Sequence, residues 1–289
     1  MYNFKNILSK YSKYLLLVPG LLISIFVVII PISILIFVSF YKYRFPYLIP
    51  EFTLDNYVKY LLSERTGVIL LNTFGLSTLT CLACFAVGYP FAYTLAFKIK
   101  SLKVRTYTVS LLMVPFLIDW SIRTVAWISV LGERGLVNFL ITTAGLSSTP
   151  QKFLFSPIAL IIIWLQTYTL FMFFPIYLAM QRIHPDYIWS AQLLRAPPHR
   201  VHYEIIFKLS RPGIVTGFIF VFISTLGDFV TPSLWAGGIQ TLGLSIASYA
   251  GNYLWPQAAA MSSIMLIITL AALILLIKVG GIKKLVYER

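Results

Sequence analysis

The chain has 289 residues, a formal charge of +14, a mean hydropathy of +0.85, 59% hydrophobic residues and only 11% charged ones. A soluble domain carries about 25% charged residues, and a water-exposed surface of this composition would be too apolar, so a soluble enzyme, a disordered chain and a collagen-like chain are excluded. The basic excess does not indicate nucleic acid, because Lys and Arg sit in short gaps between apolar runs, as in membrane proteins, and not on one solvated face.

From the N-terminus, Lys5, Lys10 and Lys13 lead into an apolar run from Tyr14 to Phe40. That run exceeds a signal-peptide core of about 7–15 residues and lacks a small-residue cleavage site, so it is expected to remain as a membrane anchor. A span needs about 20 mostly apolar residues, and six stretches qualify: 15–40, 68–97, 106–130, 156–180, 212–234 and 258–278. They predict a single all-α integral membrane domain over 1–289 in the lipid bilayer. Lipid-exposed backbone must satisfy its own hydrogen bonds, and the polar alternation of barrel strands is missing.

Along the second stretch Thr80, Cys84, Gly88, Ala92 and Ala96 recur at four-residue intervals, which lines one helix face with small side chains for close packing. Pro90 removes a backbone donor near the end of this helix and is expected to bend it. Cys81 and Cys84 are the only cysteines. Three apart on a helix, they do not meet disulfide geometry, and without further ligands they read as packing residues.

Ionisable residues at membrane depth stand out next: Asp119 and Arg123 in the third stretch and Asp228 in the fifth. A charge near the bilayer centre costs at least a few kcal/mol, so such groups face a cavity or a partner. Asp119 and Arg123 are four apart with the acid first, the spacing of an ion pair on one helix face; helix packing and a solute pathway both remain open for them. Asp228 has no local partner, follows Gly227 and falls in the outer part of its span, which suits a pathway or gate. Trp120, Trp127, Trp164, Trp235 and Trp255 lie mostly toward the outer halves of the spans, as an interfacial belt does, and Trp120 or Trp235 would also offer a cation–π face. The candidate pathway set is Asp119, Trp120, Arg123, Asp228 and Trp235.

Residues 181–211 form a long basic loop. Pro185 and Pro198 suit helix starts and predict two short helices, Pro185 to Leu194 and Pro198 to Lys208, on either side of Ala196-Pro197. A protein partner and a surface-lying helix with lipid-facing arginines are both compatible with this loop. Sixteen of the 23 Lys and Arg residues lie at the two termini, at 98–105 and in the 181–211 loop. The positive-inside rule therefore places both termini and that loop in the cytoplasm. No Gly-x-x-x-x-Gly-Lys-Ser/Thr phosphate loop occurs, and His184, His199 and His202 all fall in the 181–211 loop. Neither nucleotide hydrolysis by that route nor an intramembrane metal site is expected.

Several segments, taken in order, resemble the membrane subunits of type I ABC importers, in particular the polyamine (spermidine/putrescine) permease branch. They are Phe52-Thr-Leu-Asp-Asn-Tyr57, Asn72-Thr73, Gly88-Tyr-Pro-Phe-Ala-Tyr93, Ile122-Arg-Thr-Val-Ala-Trp127 with Gly135 and Asn138, Gly227-Asp-Phe-Val-Thr-Pro-Ser-Leu234 with Gly237-Gly238, and Trp255-Pro256. The family's cytoplasmic signature reads Glu-Ala-Ala, three residues, Gly, and later Pro-Gly-Ile. It falls on Trp189-Ser190-Ala191, Arg195 and Pro212-Gly213-Ile214. Trp189 replaces the glutamate, Arg195 the glycine and Lys208 a later proline. In the family this signature forms the coupling helix that docks on an ATPase subunit. The resemblance thus implies Trp189, Ser190, Ala191, Leu194, Arg195, Ala196, Pro197, Pro198 and His199 as the ATPase coupling loop. Glycine takes positive φ at low cost, so Arg195 is expected to be strained there, with Pro197 and Pro198 re-forming the turn.

The resemblance also implies a type I importer fold in a prokaryotic cell membrane, a second permease subunit and two cytoplasmic ATPases that carry ATP and Mg. An extracytoplasmic solute-binding protein is implied too, and no cofactor on this chain. The solute implied is a polyamine, moved by rigid-body alternating access, with Asp119, Asp228 and Glu133 as carboxylates for its amines. Another small solute on the same fold (an amino-acid derivative, iron, thiamine or an anion) and a secondary transporter or channel without ATPase are the alternatives.

Overall fold

The computed structural model describes residues 18–44, 47–61 and 63–279. The basic residues at both termini, Lys5, Lys10 and Lys13 and then Lys283, Lys284 and Arg289, lie outside the described residues. In chain order the helices are α1 (Val18–Ser39), α2 (Asp55–Leu61), α3 (Glu64–Lys98), α4 (Leu102–Met113), α5 (Trp120–Ala126), α6 (Ile128–Leu131), α7 (Leu136–Thr143), α8 (Pro157–Gln181), α9 (Pro185–Leu193), α10 (Pro198–Gly227), α11 (Val230–Trp235), α12 (Leu242–Gly251) and α13 (Trp255–Val279). A two-stranded antiparallel hairpin, β1 (Tyr41–Arg44) and β2 (Tyr47–Phe52), follows α1. Six stretches are long and apolar enough to cross a membrane: α1, α3, Trp120–Thr143, α8, α10 and α13 through Lys278.

Two of these depart from the sequence reading. The single helix expected over 106–130 is instead α4, a 3-10 turn at Val114–Leu117, an extended residue at Ile118 and a new helix from Trp120. Pro115 suits the start of the tight turn, and Asp119 caps the helix that follows. The short helix expected from Pro198 to Lys208 is not separate. It runs through a π-helical turn at Val201–Phe207 and past Pro212 into α10, which ends at Gly227. A proline inside a spanning helix is tolerated where neighbouring helices hold both sides of it.

The chain divides into two compact units, residues 1–63 with 246–266 and residues 64–245 with 267–289. In the first, α1 leaves nearly all its apolar side chains exposed, as a lipid-facing helix does, and buries Ser39 at its end. Asn56 is buried and donates from Nδ2 to the carbonyls of Ser39 (2.9 Å) and Tyr41 (3.0 Å), while Tyr57 shares a 2.6 Å hydrogen bond with Ser39 Oγ. The Asn56-Tyr57 pair thus ties α2 to the junction of α1 and the hairpin.

In the second unit α3, α8 and α10 pack around Cys84, Ala92, Leu95, Phe173, Ile176 and Val221. The small-residue face of α3 is the packed one: Thr80, Cys84, Gly88, Ala92 and Ala96 are all buried. Cys81 and Cys84 are free and buried, with Thr169 Oγ1 3.7 Å from Cys84 Sγ. Two glycines set the approach of α10 to α8. A Cβ on Gly217 would stand 2.7 Å from Met172 Sδ, and one on Gly213 would run into the Pro175 carbonyl oxygen and lie 2.6 Å from Ala179 Cβ. That contact gives the Pro212-Gly213-Ile214 motif a structural reason. Gly213→Val should lower stability by about 1–3 kcal/mol through overpacking, read by denaturant unfolding in detergent; an unchanged midpoint would show that the helices can separate at little cost.

Candidate functional site

The break between α4 and α5 opens a pocket. Ile118 is extended (φ −104°, ψ 128°), and Asp119 Oδ1 accepts a 2.9 Å hydrogen bond from the Ser121 amide, capping α5. Capping by aspartate satisfies an amide that the helix leaves unpaired. Asp119 is therefore turned to the start of its helix, and no ion pair with Arg123 forms within 4 Å among the described residues, unlike the i,i+4 pair that the spacing suggests. Asp119 is exposed and its other carboxylate oxygen makes no hydrogen bond within the described chain. Arg123 is half-buried, and its Nε is buried without a hydrogen-bond partner.

Asp119, Trp120 and Arg123 line a cavity of about 450 Å³ with Phe116, Tyr168, Phe171 and the end of α10 at Ser224, Gly227 and Asp228. Four of the five candidate pathway residues are thus brought together. The fifth, Trp235, is elsewhere: it is buried with Leu131, Ala159, Leu160 and Ile163, its ring centroid 5.7 Å from that of Phe155.

Asp228 lies where α10 ends and is 5% exposed. Its Oδ2 accepts from Trp164 Nε1 at 2.6 Å, Thr231 Oγ1 at 2.6 Å and Tyr168 OH at 3.2 Å, and its Oδ1 accepts from the Thr231 amide at 3.1 Å. A buried carboxylate costs several kcal/mol unless its lone pairs are met, and here four donors meet them. The side chain bridges the chain across the two-residue break between α10 and α11 and anchors both to α8. Trp164 is accordingly buried at 1% exposure and is not a member of an interfacial belt. Asp228 shows its edge to the cavity while its charge is already engaged.

Neighbouring motifs hold this end in place. Thr73 Oγ1 accepts from the Leu242 amide at 2.8 Å, at the start of α12. Asn138, 2% exposed, donates to the carbonyls of Gly132 (3.0 Å) and Gln151 (2.9 Å) and accepts from the Gln151 amide (2.7 Å). Gly237 has φ +59°, and a Cβ there would strike the Phe155 carbonyl oxygen; both demands require glycine.

At the other candidate region, α9 starts at Pro185 and is closed by Leu194. Arg195 has φ +54°. The Ala196 amide donates to Ala191 O at 3.0 Å and the Arg195 amide to Gln192 O at 2.9 Å, the paired bonds of a Schellman turn with Arg195 in its left-handed position. The backbone thus keeps the conformation in which glycine is favoured, with arginine in its place. Pro197 and Pro198 follow the turn, and Pro198 starts α10; they stop α9 without replacing its turn. Trp189, Leu193 and Leu194 are exposed at 59%, 84% and 84%.

A family model described as binding-protein-dependent transport system inner membrane component matches residues 85–287. The chain belongs to this family. The permease is 32% identical over 213 residues to the spermidine/putrescine transport system permease protein PotB of Escherichia coli (strain K12), covering 73% of this chain and 76% of that protein. It is 29% identical over 246 residues to PotB of Haemophilus influenzae, covering 82% and 83%. A solved bacterial ABC transporter involved in the import of the acidic polysaccharide alginate has the same fold, with a TM-score of 0.71, 18% identity and coverage of 97% of this chain and 99% of that one. The permease is therefore a multi-pass membrane subunit of an ABC importer, a transport component and not an enzyme.

Sequence reasoning found the acids and Arg123 but missed Tyr168, Thr231 and the role of Trp164. Thr231 is three residues after Asp228 in the sequence and so within local reach of its carboxylate; Trp164 and Tyr168 come from another helix and carry no local signal. Asp228→Asn places an amide against these donors and should lower stability by about 1–3 kcal/mol, whereas Asp119→Asn keeps a good cap and should change it little; denaturant unfolding of both variants in detergent decides this. Arg195→Gly should relieve about 1 kcal/mol of left-handed strain and slow amide hydrogen exchange over 185–196; faster exchange would mean that the arginine side chain, not the turn, holds this segment.

Proposed function

We propose that the permease carries a polyamine through the cavity at the α4–α5 break, as one half of a pathway completed by a second permease subunit. The observation that carries this reading is an exposed carboxylate, Asp119, with a free oxygen on the lining of a cavity walled by Trp120, Phe116 and Phe171. A carboxylate together with aromatic faces is what an ammonium group needs. The relatives named as spermidine/putrescine permeases support the same solute class. Asp228, bonded on both oxygens, positions the wall. Arg123 offsets one of the two carboxylates on this lining, so the cavity keeps a modest negative charge suited to passing a cation without trapping it. Trp235 serves packing near this end of the fold.

In the same reading α9 and the turn after it, with Trp189, Ser190, Ala191, Leu194, Arg195, Ala196, Pro197, Pro198 and His199, form the cytoplasmic dock for an ATPase subunit. The exposed Trp189, Leu193 and Leu194 give that dock an apolar centre. ATP and Mg belong to that partner, present in two copies, and solute arrives on an extracytoplasmic binding protein. A parallel is a bacterial alginate ABC transporter solved in complex with an alginate pentasaccharide-bound periplasmic protein. The excess of Lys and Arg at 98–105 and 181–211 supports a cytoplasmic side for this loop.

Uptake of labelled spermidine by the reconstituted complex tests the reading. Asp119→Asn should slow uptake about tenfold, the loss of one charge-assisted hydrogen bond, with spermidine binding to the solute-binding protein unchanged. Unaltered uptake in that variant, or uptake only of an anion that Arg123→Gln abolishes, would sink it.

A further inference from the structure

A second cavity, of about 830 Å³, lies in the same unit between the end of α3, α9 and the start of α10, and it shares no lining residue with the pocket at Asp119. Its walls are apolar at Phe97, Met180, Ile183, Ile188 and Ile206, and two cations, Lys98 and Arg105, stand on its lining with no acidic residue among the lining groups. Lys98 is the last residue of the α3 span. The cavity therefore lies at one end of that span. Arg105 Nε donates to the Ile99 carbonyl oxygen at 2.6 Å, which fixes the side chain. Its terminal guanidinium nitrogens make no hydrogen bond within the described chain and stay available for an anion.

A cavity with an apolar wall, cations only, and a position at the end of a span fits one kind of occupant. We propose that it binds the headgroup of an anionic phospholipid, with Lys98 and the tethered Arg105 on the phosphate and the acyl chains against Phe97 and Ile183. Arginine presents a planar fork that matches phosphate oxygens, and juxtamembrane Lys and Arg attract anionic lipid. Trp189 and Ala196 line the same cavity, so a bound headgroup touches both the end of a span and the segment at α9. Lys100 and Lys103 are exposed basic residues of the same stretch that do not line it, which separates a local site from general surface charge.

The test uses the purified complex, stripped of native lipid in a non-ionic detergent. It is titrated with phosphatidylglycerol, with phosphatidylcholine and with inorganic phosphate, and bound lipid is read by native mass spectrometry. Phosphatidylglycerol should bind and phosphatidylcholine should not displace it. Arg105→Gln or Lys98→Gln should weaken binding about fivefold each, and Lys100→Gln with Lys103→Gln should leave it unchanged. If Arg105→Gln does not fold, Lys98→Gln reads the same site, since Lys98 is exposed and makes no hydrogen bond within the described chain. The proposal is overturned if the cavity variants bind like the wild type, or if the Lys100/Lys103 pair weakens binding as much. Equal binding of phosphatidylcholine, or displacement of the lipid by inorganic phosphate at equal concentration, overturns it too.

Discussion

A carboxylate placed where a membrane helix stops must be surrounded by donors, and the permease surrounds Asp228 with Trp164, Tyr168 and Thr231. The consequence is wider than one satisfied charge. Because two of those donors stand on α8, the end of α10 and the start of α11 are held against α8 at that height. The position of Gly227 and Ser224 on the cavity lining follows from it. The break in the helix is thereby a fixed joint, in which the buried Asp228 carboxylate takes up the Thr231 amide at the start of α11.

The same logic explains why the α4–α5 break is tolerated. Asp119 takes up the Ser121 amide in the first turn of α5, which lowers the cost of the interruption, and the carboxylate stays exposed on one side. Two acids that look alike in the sequence therefore divide the work. Asp228 is consumed by structure and Asp119 keeps one oxygen unbonded within the described chain, a division set by how many donors each meets. The same two helices, α8 and α10, pack closely further along through Gly213 and Gly217.

The turn that closes α9 is informative in a similar way. At Arg195 the chain keeps the left-handed turn and both of its Schellman hydrogen bonds although the glycine is gone. The turn is held by the two backbone bonds at the end of α9, and the residue type is secondary to them. Arginine in that position bears strain of about 1–2 kcal/mol, so the shape of the turn outweighs the preference of the residue that occupies it.

The sequence by itself determined the membrane class, most of the spans, the packed face of α3 and the start of α9, because these rest on local periodicity, composition and the backbone limits of proline and glycine. It also picked out Asp119, Arg123 and Asp228, since ionisable residues in apolar runs are conspicuous. Only the tertiary structure decided which of them is free. The donors to Asp228 on α8 lie 60 and 64 residues away, and the Asp119–Arg123 spacing suits an ion pair as well as it suits a cap. The fate of the 106–130 run was decided there too: Pro115 and Asp119 were visible, but whether they end a helix or bend it depends on what packs beside them. The opening charge balance marks a basic side of the chain. The folded chain adds that two of those cations, Lys98 and Arg105, share one apolar cavity, a juxtaposition that no local pattern encodes.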